Sequence, residues 1–303
     1  MTGNVSHITR EILDSIPKPK RVMAPFRWFG GKGKMASKIV PLVPCGKIYV
    51  EPYCGAASVF WYMKSPREIE VLNDLNSEII NLFRVLQNKE LFDKLAHRLC
   101  WTPYSLAEFT RALGMESDDP VDRAWAFFTK QGQGFGGEAK SKGNWGRAFT
   151  SSRDMAMMVS IWETRLSQLY HFHDRLTRVQ FDNRDALDVI KYWDSDKTVF
   201  YLDPPYISDV RKYKIAYRHE TTDGHHLKLV ELLLSIKGQA ALSGYNNDIY
   251  KPLENAGWTK YTFKTACRAA GRVRGSNLQG KGAATKHQPR TECLWVKDNM
   301  EIK

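Results

Sequence analysis

The stretch "KTVFYLDPPYISD", residues 197–209, decides the fold. An apolar run, Val199-Phe200-Tyr201-Leu202, ends in Asp203-Pro204-Pro205-Tyr206. Proline cannot continue a strand, and the residue ahead of a proline is pushed to an extended conformation. The segment therefore reads as a buried strand that delivers a carboxylate, followed by a stiff turn carrying an aromatic ring.

Upstream, "KIYVEPYCGAASVFWYM" reads as a strand, a turn of small residues and a helix start. "IEVLNDLNSEIINLFRVLQ" repeats the pattern, with Ile79, Ile80, Phe83 and Leu86 on one helix face. This β-turn-α rhythm predicts an α/β domain with a mostly parallel, Rossmann-like sheet and helices on both faces. A helical segment over Met35 to Val43 precedes it. The rhythm stops from about residue 88 to 178. There "FDKLAHRL", "SLAEFTRAL" and "VDRAWAFFT" read as short helices. "KQGQGFGGEAKSKGNWGRAFTSSR" reads as an exposed basic loop or hairpin, and "DMAMMVSIWETRLSQLYHFHDRL" as one long amphipathic helix. The rhythm returns with "RVQFDNRDALDVI", a helix over "HHLKLVELLLSI", and strands "QAALSGY" and "ECLWV". The expected division is a polar tail over 1–22, one α/β domain from 23–87 and 179–303, and an inserted, mostly helical domain over 88–178.

Composition narrows the class. The chain has 303 residues, of which 43% are hydrophobic, enough for a sizeable globular core. It contains no apolar run long enough to span a membrane, and its first residues lack the apolar core of a signal peptide. Five cysteines with no CxxC pair suggest neither a zinc site nor a disulfide framework, so a reducing cytoplasm is expected. Lys plus Arg exceed Asp plus Glu by 45 − 33 = 12, which favours a polyanionic partner such as nucleic acid.

Four motifs carry chemistry. The small residues Cys54-Gly55-Ala56-Ala57-Ser58 sit at a strand-to-helix turn, where a ligand can approach backbone N–H groups; a plain tight turn has the same composition. Asp74 follows Gly55 by nineteen residues, the spacing of an acid that binds a ribose diol; helix capping is the other reading. Gly30-Gly31-Lys32 ahead of the first helix can cradle a phosphate or carboxylate, or simply turn the chain. Asp203 can accept one N–H of an exocyclic amine and a rigid proline carbonyl the second, while Tyr206 stacks on a base. That leaves the amine lone pair aimed at an electrophile, the arrangement for methyl transfer to a nucleobase amine.

Together these motifs resemble the Dam-type (D12 class) DNA adenine-N6 methyltransferases, which use S-adenosylmethionine. Arg27-Trp28-Phe29-Gly30-Gly31-Lys32 resembles the family's opening motif, and Glu51-Pro52-Tyr53-Cys54-Gly55-Ala56-Ala57 its methionine-binding turn. Asn73-Asp74-Leu75-Asn76 resembles the ribose-binding strand end; the DPPY motif is intact, and "RTECLW" is similar to the last core strand. The resemblance implies that Trp28, Gly30, Gly31 and Lys32 flank the cofactor's methionine end. It implies that Glu51, Pro52, Tyr53, Cys54, Gly55 and Ala56 form its floor and that Asp74 holds its ribose. Asp185 or Asn183 is a candidate for its adenine, with N-capping as the other role of Asp185. Asp203, Pro204, Pro205 and Tyr206 are the implied catalytic residues, with Tyr206 and Tyr213 sandwiching a flipped adenine.

The implied partner is double-stranded DNA, bound by a monomer or weak dimer with no metal and no membrane. Candidate DNA contacts in the inserted domain are Lys130, Gln131, Gln133, Lys140, Lys142, Asn144 and Arg147. Departures from the family pattern are Arg27 for Lys, Cys54 in the turn, Ala57 for the second turn glycine, and a recognition hairpin that matches only loosely. A target word is therefore not carried over. Cytosine-N4 or RNA adenine methylation, and an inactive DNA-binding relative, stay open as alternatives, as does a restriction nuclease partner. The stretch from Lys260 to Arg290, with eight Lys or Arg and no acid, reads either as a solvated loop or as a phosphate-contacting arm.

Overall fold

A computed structural model describes residues 2–19, 22–28, 30–135, 141–206, 223–267 and 288–298. Seven strands form the central sheet: β1 (Ile48–Glu51), β2 (Ile69–Asn73), β3 (Val179–Asp182), β4 (Thr198–Leu202), β5 (Gln239–Tyr245), β6 (Thr259–Cys267) and β7 (Gln288–Lys297). Their spatial order is β3-β2-β1-β4-β5-β7-β6. The first five strands are mutually parallel, and β7 runs antiparallel to both β5 and β6. This is a mostly parallel, Rossmann-like sheet, as the β-turn-α rhythm predicts.

The order reverses between β1 and β4. From β1 the chain moves outward to β2 and β3, then returns to lay β4 on the other side of β1. Open α/β sheets bind ligands beyond the carboxyl ends of the strands at such a switch point. Here those ends deliver Glu51 from β1, Asn73 from β2 and Leu202, just ahead of Asp203, from β4.

Alternation along the strands splits the apolar side chains between two cores. Tyr49, Leu72, Val199 and Tyr201 face one, and Val50, Val71, Phe200 and Leu202 the other. Besides two short helices, Ala36–Ile39 and Lys251–Asn255, the described helices are α1 (Thr2–Ser15), α2 (Ser58–Tyr62), α3 (Ser77–Gln87), α4 (Lys89–Cys100), α5 (Leu106–Leu113), α6 (Pro120–Gln133), α7 (Met157–Leu166), α8 (Leu169–Leu176), α9 (Ala186–Trp193) and α10 (Asp223–Ser235). The first core is built with α3 and α4 to α8, through Phe83, Leu95, Trp125, Trp162 and Phe172. The second is built with α9 and α10, through Val189, Ile190, Leu229 and Leu233. Asn76, Asn88, Ser105 and Asp119 cap α3 to α6 by accepting backbone N–H bonds, which fixes where each starts. A buried fork pins α8 to the sheet: Arg175 donates to both oxygens of the fully buried Glu70 at 2.5 and 2.6 Å.

Three expectations need correction. The N-terminal residues are not a tail: Thr2–Ser15 is a helix that buries Thr9 and Leu13 and contacts His97 of α4. The expected long helix after Asp154 is two, broken at Ser167 and Gln168. The Gln168 amide is diverted to accept the Met23 N–H (2.9 Å) and donate to Thr164 (2.9 Å). The loop expected from Lys130 begins instead as the last turn of α6, which runs to Gln133. Gly132 sits inside that helix because a Cβ there would meet the Trp162 ring at 2.6 Å.

Candidate active site

The turn after β1 is built around two carboxylates. Asp74 accepts the Gly55 N–H on Oδ2 and the Asn76 N–H on Oδ1, both at 2.8 Å. It thereby ties the turn after β1 to the end of β2. Buried Asn73 reinforces the tie by donating to the Pro52 carbonyl (2.8 Å), while its own carbonyl accepts from Cys54 N (2.9 Å). Gly55 lies at φ +49° with Trp28 so close that a Cβ would stand 2.8 Å from its Cδ1. Ala57, in place of the family's second glycine, also adopts the left-handed region at φ +53°. Alanine enters that region at a cost of about 1–2 kcal/mol, so the turn keeps the glycine geometry without the glycine. Glu51 is buried beneath the turn and accepts from Tyr49 Oη (2.6 Å) and Phe60 N (2.9 Å). Desolvation raises its carboxyl to about 8, so it is largely neutral at neutral pH.

Facing this turn is the end of β4. The Lys32 ammonium is 4% exposed and stands 2.7 and 2.8 Å from the two oxygens of Asp203. Both carboxylate oxygens thus lie against the one ammonium. Burial pushes the Asp203 carboxyl above the ordinary aspartate range, and Lys32 pulls it back. The same ammonium donates to the Gly30 carbonyl (3.0 Å) and lies 4.5 Å from the Tyr206 ring centre. Tyr206 in turn donates to Glu292 on β7 (3.2 Å) and meets the edge of Tyr245 on β5 at 4.5 Å. Behind the prolines, His226 is fully buried and its Nε2 lies 3.0 Å from the Pro205 carbonyl. A carbonyl only accepts, so Nε2 carries the proton and Nδ1 receives the Tyr250 hydroxyl at 2.9 Å.

The turn, the Asp74 strand end, the GGK loop and the DPPY tip therefore meet at one place, the sheet's switch point. The family described as D12 class N6 adenine-specific DNA methyltransferase matches residues 28–110 and 140–266. The chain belongs to this family. Among curated relatives it is 28% identical over 193 residues to the DNA adenine methylase of Escherichia coli K12, covering 62% of this chain and 66% of that protein. It is 25% identical over 238 residues to the DNA adenine methylase of Salmonella typhi, covering 75% of this chain and 82% of that one. It is also 32% identical over 107 residues to a DNA N-6-adenine-methyltransferase of Escherichia phage P1, covering 34% and 14%. Among solved structures, a putative RNA methyltransferase from Pyrococcus horikoshii aligns at 9% identity and TM-score 0.36, covering 97% of both chains.

For this D12 family member, several expected roles shift. Lys32 is committed to Asp203 rather than lying only beside the turn. Asp185 caps α9 by accepting the Leu187 N–H at 2.8 Å, and Asn183 donates to the Asp74 carbonyl at 2.6 Å. In the inserted region, Gln131 and Gln133 are buried in α6 instead of facing out to read bases. The Gln133 amide donates to the Pro103 carbonyl (2.9 Å) and accepts from Ser105 N (3.2 Å). Asn144 closes a turn by accepting from Ser141 N and Oγ (3.1 and 3.0 Å). Lys142 and Arg147 are exposed, with Arg147 stacked on Trp145 at 4.9 Å, and Lys130 is half-buried. Lys140, Tyr213 and most of the basic stretch, residues 268–287, lie outside the described residues. Sequence reasoning missed Tyr245, His226, Tyr250 and Glu292. Only Glu292 had a signal, its place inside "RTECLW", and none of the four is near the motif in the chain. No described helix is long and apolar enough to cross a membrane, and the described residues hold no metal-binding cluster.

Proposed function

We propose that this chain transfers a methyl group from S-adenosylmethionine to the N6 amine of adenine extruded from double-stranded DNA. The observation that carries the reading is Asp203: a buried carboxylate at the switch point beside a small-residue turn, held by the Lys32 ammonium 2.7 Å from Oδ1 and 2.8 Å from Oδ2. A carboxylate fixed there by one ammonium still has lone pairs that an exocyclic amine can meet. The chemistry around the turn fits the cofactor. Asp74, just past the end of β2, is a carboxylate placed to accept ribose hydroxyls, and neutral Glu51 sets no charge against a carboxylate brought near it. S-adenosylmethionine supplies, when bound, an electrophilic methyl on a sulfonium.

The chain's own residues do the rest. Asp203 accepts one N6–H, and a proline carbonyl of the rigid Pro204-Pro205 turn accepts the second. His226 holds that turn through the Pro205 carbonyl. Tyr206, anchored by Glu292, offers its ring for stacking. The amine nitrogen would form the new N–C bond as the methyl's bond to the sulfonium sulfur breaks, leaving a neutral thioether, and the proton the nitrogen gives up would pass by way of Asp203 to solvent. Asp203 need not be a strong base, because that proton becomes acidic only as the bond forms; positioning and the negative field dominate. Lys32 draws the Asp203 carboxyl back down against the upward push of burial.

The test is to incubate the chain with genomic DNA and isotope-labelled cofactor, then digest to nucleosides. Label in N6-methyladenine supports the reading. Label in N4-methylcytosine, or nowhere, overturns it.

A further inference from the structure

Asn73 is fully buried at the carboxyl end of β2, and its side-chain amide is shared between the turn after β1 and the loop after β3. Nδ2 donates to the Pro52 carbonyl (2.8 Å) on one side and to the Arg184 carbonyl (3.1 Å) on the other. Oδ1 accepts the Arg184 N–H at 3.0 Å. Both amide hydrogens and an oxygen lone pair are thus in use, and residue 184 is gripped by its donor and its acceptor alike. The orientation is fixed, because turning the amide over would set Nδ2 against an N–H and Oδ1 against two carbonyls. Two backbone groups extend the tie: the Cys54 N–H donates to the Asn73 carbonyl (2.9 Å), and Asn183 donates to the Asp74 carbonyl (2.6 Å).

The strand ladders stop just short of these bonds. Glu51 against Leu72 is the last pair between β1 and β2, and Asn73 against Asp182 the last between β2 and β3. Past them the chain leaves the sheet as separate turns, and those turns carry the site. Pro52 and Cys54 belong to the expected floor of the cofactor pocket, Asp74 to its ribose, and residues 183–185 to the side expected to meet its adenine. A pocket ordered before the ligand arrives spares the ligand the cost of ordering it, which raises affinity. Gln87 offers a comparison within the same chain. At the end of α3 its Nε2 donates to the carbonyls of Leu176 (2.8 Å) and Val179 (2.7 Å), clasping the opposite end of β3, away from the site.

We propose that Asn73 is a positioning residue for S-adenosylmethionine. It acts through Pro52 and Arg184, holding the floor turn and the 183–185 loop at a set spacing on either side of Asp74. The proposal rests on the methyltransferase reading of this pocket and adds to it the residue that presets the pocket's width.

The experiment measures S-adenosylmethionine binding by calorimetry to the full native chain, to Asn73→Ala and to Gln87→Ala, each well below its melting temperature. Asn73→Ala should raise the dissociation constant about tenfold, the worth of roughly one net hydrogen bond. Gln87→Ala should lower the melting temperature and leave cofactor affinity unchanged. In single turnovers on duplex DNA, the cofactor concentration giving half the maximal rate should rise in Asn73→Ala by more than the maximal rate falls. Hydrogen exchange at the Cys54 and Arg184 amides should quicken in that variant and slow again once cofactor is added. An Asn73→Ala chain that melts lower yet binds cofactor like the native chain would show a purely structural residue and overturn the proposal. So would a Gln87→Ala chain that weakens cofactor binding equally, because lost stability would then be the cause. If Asn73→Ala does not fold, Asn73→Ser, with one donor in place of two, decides by the same dissociation constant, and native affinity there also overturns it. A native chain that binds the cofactor while the Asn73 variants match it removes this proposal alone. A native chain that binds no S-adenosylmethionine removes the methyltransferase reading with it.

Discussion

Replacing Lys32 with Met removes the cation held against Asp203 among the described residues and keeps most of the side-chain volume. In the native chain burial raises the Asp203 carboxyl and Lys32 lowers it. The Met variant retains the upward push, opposed by the Tyr206 hydrogen bond without the help of Lys32. An opposite charge within hydrogen-bond range typically moves a carboxyl by ~1–3 pH units. If Asp203 acts ionised, the acidic limb of the methylation rate should therefore move up by about that amount. Each unit corresponds to ~1.4 kcal/mol, so the variant should lose ~1.4–4 kcal/mol of stability where Asp203 is ionised. The sign follows from linkage. A carboxyl raised in the folded state lends its full stability below the unfolded carboxylate range and loses it as pH rises through the folded value. The melting deficit of Lys32→Met should thus be small at acid pH, where the native chain itself holds a buried ammonium beside a neutral acid. It should grow as pH rises, then level off. The assays are single-turnover methylation at saturating cofactor and thermal unfolding, each across a pH series. An unmoved acidic limb, together with a melting deficit independent of pH, would refute the argument.

Two further outcomes are expected. Glu51, raised by burial from an ordinary 4.5 to about 8, lends stability below that range that is lost as pH climbs to about 8; Glu51→Gln should remove this part of the melting profile, and an unchanged profile would show that Glu51 is ionised in the fold. Asp74→Ala should weaken S-adenosylmethionine binding by one to two orders of magnitude, from loss of ~1.5–3 kcal/mol of charge-assisted hydrogen bonding, as read by calorimetry. Unchanged affinity there would confine Asp74 to its bonds with Gly55 and Asn76.

The parts of the molecule that were legible are those written in short stretches of chain. The strand ending at Leu202 announces itself by an apolar run cut by two prolines, and the helix over Ser77–Gln87 by its single apolar face and Asn76 cap. What escaped depends on partners far along the chain. Lys32 finds Asp203 across 171 residues, and Gln168 is drawn to Met23 across 145, which breaks a helix that its own periodicity would continue. Gly132 reads as a loop residue but is small because Trp162 lies over it. The N-terminal helix escaped because its composition is polar and its burial on α4 comes down to a few residues, Thr9 and Leu13 among them. The amides of Gln131 and Gln133 look suited to reading bases only until α6 is seen to carry them inside.

The central claim is that Asp203 holds the reacting amine. It is tested most directly by comparing the native chain with Asp203→Ala in a single turnover on duplex DNA, with enzyme, cofactor and duplex mixed beforehand and N6-methyladenine counted. The carboxylate acts on the amine in the reacting complex and not on the duplex as a whole. The account predicts that the variant binds DNA within a few-fold of the native chain and forms no detectable N6-methyladenine. A variant that binds duplex normally and keeps most of the native rate would contradict it.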